Sequence, residues 1–158
     1  MERLLNKKTL IDMMDSVKIT AKKIKALKIQ GASKVREKAI NALVSQTLNS
    51  KQTNPTLFRK EFLKNAKILF DARPTEPALR TGIRILKKSI SGKHLSVEQM
   101  KKIIKKTDEG YGLNRKQAMK KMSKYGAKLI PKGSTIMTLC HSHSVIDVLI
   151  RAKKNIDH

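Results

Sequence analysis

Apolar residues recur at helical spacing over the first ninety residues of the chain. They follow the i, i+3, i+4, i+7 order of an amphipathic helix in four successive runs, at about 9–28, 34–48, 54–71 and 75–90. The third run opens with an Asn-Pro pair and the fourth with a Glu-Pro pair. Asparagine is a favoured N-cap and proline suits the first helical position. The pattern therefore predicts four amphipathic helices.

A fifth helical run follows and contains two glycines. Ser96 and Gln99 have the spacing of a capping box, in which each side chain accepts a hydrogen bond from the other residue's backbone N–H. Further along, Gly110 and Gly112 each disfavour a helix by about 1 kcal/mol relative to alanine. We therefore expect either one long helix with a weak centre or two shorter helices.

The pattern changes after the turn composition of residues 131–134. Residues 135–139 form a short run that is compatible with a strand, and residues 141–144 are polar. Apolar residues from Val145 onward predict a last helix whose start the serines can cap. The predicted fold is mainly α, closing with a strand, a polar loop and a helix.

Composition narrows the class of protein. The chain has 158 residues, enough for one domain of ordinary size, and only 3% aromatic residues, which argues against a β-sandwich. Its one cysteine, Cys140, excludes an internal disulfide framework and a multi-cysteine zinc site. No stretch approaches the roughly 20 apolar residues that a membrane span requires. We expect a cytoplasmic protein without a membrane span, a cofactor or a resident metal.

Positive charge dominates, with 36 Lys and Arg against 12 Asp and Glu and a net charge of +24. The basic residues are spread along the chain and are not interleaved with aromatic residues, so specific nucleic-acid binding is a less favoured partner class. Residues 96–133 contain eleven Lys or Arg and three Asp or Glu, a net charge of +8. This segment is the best candidate for an electropositive face.

Three stretches could carry chemistry. At the end of the predicted strand, a loop that enters a helix is a suitable place to bind a phosphate, and it would lower the pKa of a cysteine thiol. A cysteine at a strand end is also often just a small buried apolar side chain. Arg73, held before a proline at a helix start, could bind a phosphate through two donors or simply belong to a turn. The small residues at 30–33 could approach a ligand closely or join two helices. The candidate residues are Gln30, Gly31, Ala32, Ser33, Arg73, Cys140, His141, Ser142, His143 and Ser144.

Four segments, taken in order, resemble the amino-terminal half of the archaeal ribose-1,5-bisphosphate isomerases. These enzymes are relatives of methylthioribose-1-phosphate isomerase and of the regulatory subunits of translation initiation factor 2B. The resemblance rests on Ile29–Ala32, Ile68–Thr75, Gly126–Ile130 and Ile136–Ser142. It implies a helical domain at residues 1–133, and a strand, loop and helix at 134–158 that enter a Rossmann-like domain lying beyond this chain.

The resemblance also implies roles for the candidate residues. Cys140 would accept a proton, Arg73 would contact a phosphate or the sugar, the loop from Gln30 to Ser33 would hold the substrate, and Ser142 to Ser144 would bind a phosphate. The family opens the sugar ring and moves a proton between neighbouring carbons, which converts ribose 1,5-bisphosphate into ribulose 1,5-bisphosphate. The implied partners are a sugar bisphosphate and either further copies of the chain or a separate Rossmann-like half.

Two departures separate this chain from the family pattern. Gln30 stands where arginine is usual and Ser33 where glycine is common. A lost guanidinium would weaken phosphate binding by roughly 1.5–3 kcal/mol. The family's catalytic aspartate also lies beyond the position of His158. The first hypothesis is therefore a truncated or split isomerase, and the alternative is a non-catalytic regulatory domain of the initiation factor 2B type.

Overall fold

The computed structural model describes residues 16–92, 94–139 and 142–156. The described part of the chain is helical and divides into two compact units, one up to Asp108 and the other from Glu109. The mainly α prediction is therefore confirmed. Its helices are α1 Ser16–Lys25, α2 Ala32–Leu48, α3 Pro55–Ala72, α4 Pro77–Ser89, α5 Val97–Lys128 and α6 His143–Ile156.

The first unit is built around α2, which packs against α1, α3 and α4. The largest fully buried side chains come from the apolar faces that the helical spacing predicted, and they include Leu43, Phe58, Phe62, Leu69 and Leu79. The first turns of α5 complete the same core with two further fully buried residues, Met100 and Ile104. The first unit is therefore held together by amphipathic helices that bury their apolar faces against one another.

Local capping chemistry sets the helix starts. The Asn54 side chain accepts hydrogen bonds from the backbone N–H groups of Thr56 and Leu57 at 2.9 and 3.1 Å. At the start of α5 the predicted capping box is present: the Ser96 N–H donates to the Gln99 side chain at 2.8 Å, and the Gln99 N–H donates to the Ser96 hydroxyl at 3.2 Å. These side chains satisfy backbone donors that a helix start otherwise leaves without partners.

One continuous helix, α5, passes through Gly110 and Gly112, so of the two expectations for this region the single long helix is correct. An added Cβ at either glycine would meet no atom within 4 Å. The two compact units divide inside this helix, between Asp108 and Glu109. The domain assignment at 133/134 remains a prediction.

The second unit pairs the end of α5 with α6. Gly126 lies against Val148, and the Arg151 Nε–H donates to the Ser123 hydroxyl at 3.2 Å. Between the helices, residues 134–139 are exposed and form no regular secondary structure, so the predicted strand is wrong for these residues. A strand needs a neighbouring strand for its backbone hydrogen bonds, and the described residues contain none.

The helices were also compared with the length and apolar character that a membrane span requires. Within residues 16–92, 94–139 and 142–156, no helix is both long enough and apolar enough to cross a lipid bilayer.

Candidate functional site

The candidate residues of the first unit stand at helix ends. Gly31 is the N-cap of α2 with φ 81°, a left-handed conformation that favours glycine, and no side chain caps this helix start. Gln30 is exposed, and its side-chain amide donates to the Leu27 carbonyl at 2.7 Å. Ala32 and Ser33 form the first turn. A helix that begins at a glycine directs backbone N–H groups and a partial positive charge outward, which suits an anion.

Arg73 stands between two helices. It is the C-cap of α3, and its carbonyl accepts a hydrogen bond from the Glu76 N–H at 3.1 Å. The Arg73 Nε lies 4.0 Å from the Glu76 carboxylate, which is itself buried at the start of α4. The Arg73 Nη1 is buried and has no hydrogen-bond partner among the described residues, although 35% of the side chain is exposed. A buried donor without a partner is costly, so this guanidinium has capacity to bind a further acceptor.

Glu76 is the site feature that the sequence reasoning missed. Its carboxylate caps α4 by accepting from the Ala78 N–H at 3.4 Å, and it also lies within ion-pair distance of Arg73. The available signal was the spacing of three residues between opposite charges. The carboxylate holds the guanidinium in place, and it would also compete with an incoming anion for the same positive charge.

The remaining candidates lie in the second unit or outside the described residues. Cys140 and His141 are outside them. Ser142 precedes α6, and its carbonyl accepts the hydrogen bond of the Ile146 N–H at 3.0 Å. His143 is exposed, and the Ser144 hydroxyl lies 3.7 Å from the Met119 sulfur. Ser142, His143 and Ser144 thus form a helix start as predicted, while their predicted role with a phosphate remains untested.

Two grooves lie beside helices that begin or end at candidate residues. In the first unit, a groove of about 390 Å³ is lined by Phe70 and by basic residues of α4, with the Arg80 guanidinium 5.9 Å from the centre of the Phe70 ring. In the second unit, an apolar groove of about 370 Å³ lies between residues 136–139 and α6. Within the described ranges, no group of three or more His, Cys, Asp or Glu could hold a metal ion.

The start of α5 contains a carboxylate whose pKa is lowered. The pKa of Glu98 is lowered by a hydrogen bond from its own backbone N–H, and further by the Ser96 hydroxyl, which donates to the Glu98 carboxylate at 3.1 Å. This side chain is fully exposed and stabilises a helix start, so it belongs to the fold and not to a candidate site.

Comparison with known proteins identifies relatives. Over 132 residues the chain is 36% identical to the ribose 1,5-bisphosphate isomerase of Thermococcus kodakarensis, covering 82% of this chain and 41% of the relative. It is 30% identical over 136 residues to the enzyme of the same name from Methanocaldococcus jannaschii, covering 86% and 42%. The chain thus spans about two fifths of the length of these relatives.

The solved structures agree with the sequence comparison. The crystal structure of 5-methylthioribose 1-phosphate isomerase from Pyrococcus horikoshii matches with a TM-score of 0.75 at 26% identity, over 89% of this chain and 42% of that one. The model of the initiation factor 2 subunit family matches residues 28–158, most of the chain. The chain therefore belongs to the initiation factor 2 subunit family.

Proposed function

We propose that this chain supplies the helical part of a sugar-phosphate isomerase site that acts on ribose 1,5-bisphosphate, with Arg73 as an anion-binding residue. The observation that carries the proposal is the buried Arg73 Nη1, which has no hydrogen-bond partner among the described residues. A phosphate oxygen would provide the missing acceptor, and guanidinium groups bind phosphate through paired hydrogen bonds. The two relatives named as ribose 1,5-bisphosphate isomerases support the choice of substrate.

The other proposed roles follow the same chemistry. Gln30 to Ser33 present the start of α2, which lacks a side-chain cap, to one end of the substrate. Ser142 to Ser144 present the start of α6 to a phosphate, and Cys140 accepts the proton that moves between neighbouring sugar carbons. A cysteine suits this task because its ordinary pKa of about 8.5 is close enough to neutral pH for it to accept and return a proton. We place this chemistry in the cytoplasm, where a single thiol stays reduced.

The proposed site is not complete within these 158 residues. We propose that residues 134–158 lead into a Rossmann-like domain, supplied by further chain or by a separate polypeptide, which brings the remaining catalytic groups. The match to about two fifths of each relative supports the need for a further domain. A homo-oligomer is a further proposed assembly. We therefore expect the purified 158-residue protein to show no measurable isomerase activity. The alternative, a regulatory domain of the initiation factor 2B type, has less support because the curated relatives are isomerases.

A chimera tests the proposal. The 158 residues would be joined to the part of the Thermococcus kodakarensis enzyme that they do not match, and the conversion of ribose 1,5-bisphosphate would be followed in the fusion and in the isolated chain. We expect activity only in the fusion. In that background, Arg73→Lys keeps the positive charge but loses the planar pair of donors, so the KM should rise by about tenfold or more.

Arg84→Lys in the same fusion is the matched control, because Arg84 is an exposed arginine of α4 that lines the Phe70 groove and has no role in the proposed site. It should leave the KM unchanged. A folded fusion that binds no sugar bisphosphate would contradict the proposed function. A fusion in which Arg73→Lys and Arg84→Lys behave alike would remove Arg73 from the site. Activity in the isolated chain would show that the site is complete without a second domain.

A further inference from the structure

The second half of α5 carries positive charge without any compensating acid. Residues 110–132 contain six lysines, one arginine and no Asp or Glu. The lysines on the helix are exposed, and none of their side-chain ammonium groups forms a hydrogen bond or ion pair with another described residue. This set has no role in the proposed isomerase site.

The exposed lysines form one row along the helix. They recur at every fourth position, so each lies about 6 Å further along the axis than the one before it. Lys121 and the side chain of Tyr125, which is 64% exposed, lie beside the row. We call this set the lysine stripe: Lys116, Lys120, Lys121, Lys124, Tyr125 and Lys128.

A different side of the same helix segment is used for packing. Gly126 contacts Val148, and Ser123 is buried and accepts a hydrogen bond from Arg151. The side of the helix with Ser123 and Gly126 is therefore in contact with α6. The lysine stripe faces solvent.

Like charges four residues apart destabilise a helix, and the stripe repeats that arrangement three times with no glutamate between the lysines. Solvated helix faces normally alternate the two signs, which relieves the repulsion. The repulsion is removed when an extended polyanion lies along the row and its counterions are released.

We propose that the lysine stripe binds the phosphate backbone of a single-stranded nucleic acid without reading its sequence. A row of evenly spaced ammonium groups can pair with the evenly spaced phosphates of a nucleic-acid backbone. Lysine interacts with a phosphate as a point charge, so this pairing does not depend on the base sequence. The exposed Tyr125 ring offers a surface on which a base can stack. An acidic protein segment would satisfy the charge but would make no use of the ring.

Fluorescence anisotropy on the full 158-residue protein tests the proposal. The probes are a labelled 20-nucleotide single-stranded RNA and a DNA of the same sequence, each titrated at several salt concentrations. The test variant changes Lys116, Lys120, Lys124 and Lys128 to glutamine. The matched control changes four exposed lysines of the first unit, Lys22, Lys38, Lys60 and Lys64, to glutamine, so that both variants have the same net charge.

We expect the stripe variant to bind at least about tenfold more weakly, and its slope of log affinity against log salt to fall by roughly 3. The control should lose no more than about threefold. Tyr125→Ala should weaken binding further, whereas Tyr125→Phe should retain it. Far-UV circular dichroism of every variant checks that the helices are intact.

Several results would overturn the proposal. Equal losses in the two quadruple variants would mean that only net charge matters, and absence of binding at physiological salt would mean that the stripe has no such ligand. Competition by polyglutamate as effective as that by RNA would identify an acidic protein partner instead. The ratio of the RNA and DNA affinities tells which nucleic acid is preferred. Because no residue of the proposed isomerase site is changed, the isomerase proposal is unaffected by these results.

Discussion

The contact between Gly126 and Val148 allows a sharp test of the packing of α5 on α6. A Cβ added at Gly126 would lie 2.9 Å and 3.2 Å from the two Val148 methyl carbons. Valine in a helix strongly prefers one side-chain rotamer, so its methyl groups cannot easily turn away. Gly126→Ala therefore forces the two helices apart or strains Val148.

The magnitude follows from two opposing effects. Alanine favours a helix interior over glycine by about 1 kcal/mol, while inserting a methyl group into a packed contact costs about 1–3 kcal/mol. Gly126→Ala should thus destabilise the second unit by about 0–2 kcal/mol. Gly112→Ala, in the same helix, adds a methyl group that meets nothing within 4 Å and should stabilise it by about 1 kcal/mol. The two substitutions should differ by about 1–3 kcal/mol.

Hydrogen exchange of the α6 backbone amides, combined with urea denaturation, measures both variants. The double variant Gly126→Ala/Val148→Ala gives a coupling free energy, which should be favourable because the smaller side chain relieves the contact. If Gly126→Ala stabilises the protein as much as Gly112→Ala does, or if the coupling is zero within error, the close packing of these two helices is wrong.

Three further outcomes are expected. Asn54→Ala should lower the free energy of unfolding by about 0.5–2 kcal/mol in urea denaturation, whereas Asn54→Ser, which keeps an acceptor, should lose much less. Because the folded state lowers the pKa of Glu98, its carboxylate stabilises the fold at pH values above the unfolded pKa near 4.5, and this stabilisation is lost as the pH falls through the lower folded pKa. Glu98→Gln should therefore make the free energy of unfolding depend less on pH in this acidic range, and an unchanged dependence would contradict the role of Glu98. Arg59 donates to the carbonyls of Ile90 and Gly92, so Arg59→Ala should destabilise by about 2 kcal/mol and speed hydrogen exchange there, with Arg59→Lys as the charge control.

Helix starts could be read from the sequence because their chemistry is local. The cap at Asn54 and the reciprocal pair of Ser96 and Gln99 involve residues within three positions of each other, and the structure contains both. The apolar faces were predictable for the same reason, because their spacing is set within a few turns. The sequence does not decide whether α5 continues through Gly110. The penalty of about 1 kcal/mol for a glycine in a helix is small beside the stabilisation that the other residues of a 32-residue helix supply.

Long-range features could not be read in the same way. A strand at residues 135–139 depends on a partner strand, and local β-compatible residues do not supply one. The packing of Gly126 on Val148 joins residues 22 positions apart, and the sequence pattern does not reveal which glycine is in contact. For the candidate site, the sequence located Arg73. It did not reveal that the Arg73 Nη1 is buried without a hydrogen-bond partner among the described residues, because burial is a property of the folded chain.

The exposed segment at residues 134–139 affects how copies of the protein behave toward one another. Met137 is 91% exposed and Leu139 86% exposed, and the backbone around them has no strand partner among the described residues. Such a segment can pair with the same segment of a second copy, as unprotected sheet edges do. The net charge of +24 makes two copies repel each other. Added salt screens this repulsion, with a screening length of about 10 Å at 0.1 M. Colloidal stability of this protein should therefore decrease as ionic strength rises, and storage at low salt should keep the molecules apart.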